Sequence, residues 1–250
     1  MERLFHHIAT TLVALSIMFA AHCQSESAQQ SYSLLLFEAT VYRTLGDTSG
    51  YIYSENDRKS LKDLEATLQN GNKLVAGFES RWPMVAKHWQ VLTRFVYSDL
   101  INNEQADLVK FPRRYEVLQQ NLVEALNSAK TDTAEGDIVA DKKPLLMSLI
   151  HLEQVVAGYT FYNINVFGGL SVPETGIENY NDMFKAEVQN LKADDAALAK
   201  ALTRKWRFIE KTVLDYNQRS AVFIVRRTAN SLRTLIQTSI SDELLAGESY

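Results

Sequence analysis

One cysteine in 250 residues, Cys23, leaves no partner for an internal disulfide and no thiol pair for a metal. Histidine is scarce as well. Of five in the chain, His6, His7 and His22 fall near the N-terminus, so only His88 and His151 remain for a fold that follows. These two are far apart in sequence, there is no HExxH and no ExxH on an apolar face, and Glu153, two residues from His151, falls on a different side of a helix. No metal site and no cofactor are expected. An excess of charge of one sign is also missing. With 26 basic and 30 acidic residues the net charge is −4, which gives no electrostatic footprint for nucleic acid. A GxSxG elbow is absent, and "FGGLSVPETG" lacks the Lys-Ser/Thr of a phosphate loop and follows no strand. The chain therefore carries no catalytic motif and reads as a non-enzyme. Beyond the N-terminus no apolar run reaches about 18 residues, so no transmembrane span is expected there.

The first 25 residues, "MERLFHHIATTLVALSIMFAAHCQS", place Arg3 ahead of an apolar and small-residue run from Ile8 to Ala21. About 14 residues is short for a bilayer span and suited to a secretory signal. Residues 1–25 are expected to be an export signal cleaved between Ala21 and Ser27, and residues 28–245 a single helical-bundle domain. Cys23 stands where a bacterial lipoprotein is cut and acylated, although His22 occupies the position that favours Gly or Ala. Cys23 is thus a candidate lipidation site; the alternative is that it leaves with the signal. The expected location is the periplasm, free or tethered to the membrane through Cys23 alone.

What the sequence has in quantity is periodicity, with 46% hydrophobic residues to carry it. Steps of three and four residues give Leu61, Leu64, Leu68, Gly71, Val75, Phe78, Trp82, Val85, Trp89, Leu92 and Val96, interrupted only by Gly71. This 3.5-residue repeat is that of helices packed side by side. Pro83 lies in the register and predicts either a kinked continuous helix or a break at Trp82 with Pro83 at the first position of the next. A second stripe runs Phe184, Val188, Leu191, Asp195, Leu198, Leu202, Trp206, Ile209, Val213, Tyr216, Ser220 and Phe223, with Asp194 or Asp195 a candidate cap for a new helix near "KADDA". Further helices are predicted over about 30–45, ended by Gly46 and "GDTSG", from Pro112 to Ala129, and from Pro144 to about Val166. Residues 130–142 and 167–177 read as loops. No segment shows strand alternation, so the class is all-α: a bundle of long antiparallel helices with coiled-coil-like packing. Laying one stripe on the other superposes Trp82, Val85, Trp89, Leu92 and Val96 on Trp206, Ile209, Val213, Tyr216 and Ser220. "LLLFE" ending at Glu38 also resembles "LIHLE" ending at Glu153, at a different offset. Both matches suggest an internally duplicated helical hairpin.

Trp82, Trp89 and Trp206 at stripe positions are expected to be core side chains, and His88 a boundary residue. "AGYTFYNINVFGG" is the better candidate for a site, because Tyr159, Tyr162 and Asn163 bring rings and an amide together at a helix end beside glycines. In "RFIEKTVLDYNQRSAVFIVRRTANSLR", Arg219, Arg226, Arg227 and Arg233 read as a solvated basic face, with Arg226 a candidate for an acidic partner or ligand. In architecture alone the chain is similar to the exported four-helix sensor modules of bacterial chemoreceptors and histidine kinases, but it lacks their membrane helices. The expected function is an envelope protein acting by protein-protein interaction or scaffolding. The alternative is a periplasmic small-molecule-binding or sensor-like domain, and behind it an enzyme without a recognisable motif. Heptads specify pairing within a chain and between chains equally, so a homo-oligomer stays open.

Overall fold

The computed structural model describes residues 29–103, 107–132, 143–164, 174–191, 195–215 and 219–247. The N-terminal segment with Cys23 lies outside them. Among the described residues the chain is helical and has no strand. Helix α1 covers 29–53. It is followed by α2 (Arg58–Ala76), α3 (Pro83–Val96), α4 (Phe111–Thr131), α5 (Lys143–Ile164), α6 (Glu174–Asn190), α7 (Ala196–Leu214) and α8 (Val222–Gly247). A π-helical stretch, Tyr97–Ile101, extends α3, and a 3-10 turn, Arg219–Ala221, leads into α8. None of these helices is long and apolar enough to cross a membrane.

The helix starts follow their residues. The Asp57 carboxylate accepts from the backbone N–H groups of Lys59 and Ser60 at 2.7 and 3.1 Å and opens α2. Asp195 accepts from Leu198 N–H at 2.8 Å and opens α7 at Ala196, while Asp194 lies outside the described residues. At Pro83 the break is realised and the kink is not. Helix α2 stops at Ala76, residues 77–82 turn, and Pro83 sits in the first turn of α3, where its missing N–H would have had no helical partner. The stripe still keeps its phase across the turn, and Leu64, Leu68, Val75, Phe78, Trp82, Val85, Trp89, Leu92 and Val96 are all buried. Gly71 interrupts the pattern for a steric reason: a Cβ there would lie 2.2 Å from the Trp89 ring.

Three expectations change. Helix α1 does not end at Gly46 but runs through "GDTSG" to residue 53. A helical glycine costs about 1 kcal/mol, and at Gly50 it makes room for a neighbour, whereas Gly46 makes only ordinary contacts. A Cβ at Gly46 would meet Ala157 and Thr160 of α5 at 3.7 Å, and one at Gly50 would lie 2.0 Å from the Arg226 guanidinium carbon. Of the expected loop 167–177, residues 167–173 lie outside the described residues, and those from Glu174 onward belong to α6. The second stripe is interrupted again between Leu214 and Val222, and α8 re-enters in a new register. Val222 and Val225 are buried, whereas Phe223, the stripe's last member, is 64% exposed.

Two apolar clusters form the interior. One gathers α2, α3 and α4 around Leu34, Phe37, Val41 and Leu45 of α1, with Ala157 and Phe161 of α5. The other gathers α5, α6, α7 and α8, with Leu35 and Ala39 of α1. Helices α1 and α5 therefore serve both clusters. In α5, 17 of 22 residues are buried, which is why its sequence is apolar on all sides and shows no stripe. The halves also share two polar devices. Trp89 of α3 donates its indole N–H to Asn72 of α2 at 2.8 Å, and Trp206 of α7 donates to Asn181 of α6 at 2.9 Å. Lys130 of α4 bonds the buried Glu38 of α1 at 2.8 Å, and Arg233 of α8 bonds the buried Glu153 of α5. Trp82 stands before α3 with the Arg81 guanidinium 4.7 Å from its ring.

A Gly71→Ala variant should lose about 1–3 kcal/mol, because the facing indole is rigid and held by Asn72. Gly176→Ala, where the added Cβ meets only Tyr180 at 3.7 Å, should be neutral or gain up to about 1 kcal/mol. Urea denaturation followed by circular dichroism measures both, and equal midpoints for the two variants would contradict the packing described.

Candidate functional site

Helix α1 carries Arg43 and Asp47 one turn apart on its flank toward α8. Asp47 is buried and receives three partners. Thr67 of α2 donates its hydroxyl at 2.8 Å, Arg226 of α8 approaches at 3.2 Å, and the Arg43 Nε lies at 3.3 Å. Arg226 also donates to Ser60 Oγ at 3.4 Å and lies over Gly50. Two turns further along α8, Arg233 grips Glu153 of α5 with two N–H groups, one at 2.7 Å, and holds Asn230 with a third. Both Arg233 and Glu153 are buried, Glu153 to 2% exposure. The arrangement is a chain of paired charges running between the halves, with α8 supplying two arginines.

Burial alone would push the Asp47 carboxyl up. The guanidinium groups of Arg43, Arg233 and Arg226 and the Thr67 hydroxyl outweigh it and hold the group below its ordinary value of 3.8. For Arg233, burial works against the charge, while Glu153 and then Asp47 and Asp63 outweigh it and raise the pKa. On the other flank of α1, burial pushes the Tyr42 phenol up to about 12, although a hydrogen bond with Gln154 opposes the shift. His151 is buried and bonded to the same Gln154 at 2.9 Å.

Beside the charge chain, a cleft of about 390 Å³ opens between α1, α2, α5 and α8. Leu36, Ala39, Leu74, Leu149 and Ile240 supply apolar wall; Thr40, Asn70 and Gln237 supply neutral polar groups; Arg43 and Glu153 are its charged residues. Arg43 and Glu153 also line a small void deeper in, with Asp47, Arg226 and Arg233. An apolar-walled cleft with a few convergent polar groups is the form small-molecule sites take.

The sequence-predicted residues are placed as follows. Tyr159 and Asn163 are buried near the end of α5, and Tyr162 is half-buried there. The Asn163 amide donates to the Tyr159 carbonyl at 2.8 Å, and burial pushes the Tyr159 phenol up to about 12. Arg226 stands apart from these three on α8, engaged with Asp47. None of the four lines the cleft. The basic face is split too: Arg227 is exposed, but Arg226 is half-buried and Arg233 is buried in an ion pair. The residues that do form the site, Arg43, Asp47, Glu153 and Arg233, gave one signal in the sequence. Glu153 is a carboxylate inside an apolar 22-residue helix and needs a buried cation to be tolerated there.

Two outcomes check this geometry. Removing one member of the Glu153 and Arg233 pair, as Glu153→Leu or Arg233→Met, should cost about 3–5 kcal/mol, and the double variant should cost less than the two single losses together. A thermodynamic cycle from urea midpoints reads this, and additive losses would contradict the pairing. Asp47 binds its proton more weakly folded than unfolded. Its contribution is therefore present above the ordinary carboxylate range near pH 4 and lost as pH falls below it. The acid limb of stability below about pH 4 should be shallower in Asp47→Asn than in the parent; equal slopes would remove Asp47 from the network.

Compared with protein families, with characterised proteins and with solved structures, the chain matches none, and its function has to be argued from this geometry.

Proposed function

We propose that the chain is an exported helical binding module whose occupant is a small molecule held in the cleft between α1, α2, α5 and α8. The observation that carries this reading is the cleft itself, about 390 Å³ with apolar walls and the Arg43 and Glu153 side chains at its border. Arg43 and Glu153 belong to the charge chain that also holds α8. An occupant touching them would bias how α8 sits on α1 and α5, which is what a sensor-like domain requires. The same reading takes α1–α4 and α5–α8 as two copies of one antiparallel helical unit with coiled-coil-like packing. The repeated Trp-Asn and Glu-Lys/Arg pairs support it.

The test is a thermal-shift screen of a fragment library against the protein and its Ala39→Phe variant. Ala39 is buried on the cleft wall, and a phenyl group there would occupy the space. Ligands should raise the melting temperature of the parent by about 2 °C or more and leave the variant unmoved. Ligands that act equally on both, or none at all, would count against the cleft.

A second reading, a protein partner or scaffold role in the envelope, has its own observation. Phe208 of α7 is 71% exposed and Phe223 of α8 64%, with Ile224 beside it also exposed. Large exposed rings favour association. A Phe208→Ser, Phe223→Ser double variant should then lose partners or self-association in sedimentation without losing stability, and unchanged sedimentation would argue against this reading. Export rests on the N-terminal segment. The mass of the protein from its host's envelope, compared with Cys23→Ser, should show a processed N-terminus; acyl mass lost in the variant would make Cys23 a membrane tether.

A further inference from the structure

Resting on the small-molecule reading, we infer that the cleft takes a carboxylate with an apolar body, and that the carboxylate is seated on Arg43. A guanidinium offers five N–H donors in a planar fork that matches a carboxylate with two parallel bonds. At Arg43 the Nε faces Asp47 at a long 3.3 Å, and among the described residues its two terminal nitrogens have no partner. The side chain is 29% exposed and lines the cleft, so it is reachable yet partly shielded from water.

The other charges at this place are already matched. Both Glu153 oxygens accept from Arg233, and Asp47 accepts from Arg226 and Thr67 in addition to Arg43. A ligand ammonium seated on Glu153 would compete with a buried guanidinium that already engages both oxygens. A ligand carboxylate needs only the unused fork of Arg43. The body is set by the walls: Leu36, Leu74, Leu149 and Ile240 offer hydrocarbon, with Asn70 as a neutral polar neighbour. The volume of about 390 Å³ falls within the range of small-molecule sites, which starts at about 300 Å³. An inorganic oxyanion would use the fork and leave the apolar wall wet, whereas a neutral hydrocarbon would use the wall and leave the fork wet.

Isothermal titration calorimetry decides this with butyrate, hexanoate, octanoate and benzoate, run beside hexanamide, 1-hexanol and benzyl alcohol. The proteins are the parent, Arg43→Gln and Arg43→Lys, each checked for fold by circular dichroism. Carboxylates should bind the parent more tightly as the body lengthens, and at least tenfold more tightly than their neutral counterparts. Arg43→Gln should lose that tenfold advantage, while Arg43→Lys keeps part of it, having the charge but no fork. If neutral and carboxylate probes bind alike and Arg43→Gln changes neither, the carboxylate assignment is overturned while the small-molecule cleft stands. If no member of either series binds the parent, the assignment falls together with the cleft reading.

Discussion

Glu153 carries a charge in the middle of a helix buried on all sides, and the arrangement around it follows from the need to meet that charge. An ionised carboxylate taken out of water costs several kcal/mol unless a cation with good geometry replaces the lost hydration. Arg233 does so with two N–H groups from α8, and it can reach only if α8 lies along α5 in one register. The equivalent pair of Glu38 and Lys130 does the same for α4 on α1.

Once α8 is docked, Arg226 falls over Gly50 and onto Asp47, linking the second half of the chain to the first. This explains a helix that looks poorly made in isolation. Between residues 46 and 50, α1 reads Gly-Asp-Thr-Ser-Gly, each residue a weak helix former. Gly50 admits Arg226, and Asp47 receives the arginines, so tertiary contacts repay what local propensity loses. The same trade appears at Gly71, where helix propensity yields to the Trp89 ring.

The cleft is a by-product of the same geometry. Where α1, α2, α5 and α8 meet around Arg43 and Glu153 an opening remains. Its apolar wall comes from the helix faces that also build the cores. Its polar edge comes from the charge chain that links the halves. On the proposed reading, an occupant that engages Arg43 would touch the group that shares Asp47 with Arg226.

The all-helical class and the burial of all three tryptophans were determined by the sequence alone, which also marked Pro83 and Asp194 or Asp195 as helix boundaries without choosing between a kink and a break at Pro83. Each rests on interactions within a few residues: periodicity, a missing proline N–H, and a carboxylate next to free backbone N–H groups. The passage of α1 through Gly46, the new register of α8 after Leu214 and the burial of Arg233 were decided only by the tertiary structure. A glycine reads as a stop, and an arginine as surface, until the neighbour that needs the space or the charge is in place. The site follows the same division. Tyr159, Tyr162 and Asn163 stand together because they are close in sequence. Arg43, Asp47, Glu153, Arg226 and Arg233 come from three helices far apart in the chain, and pairing over such separations leaves no periodic trace.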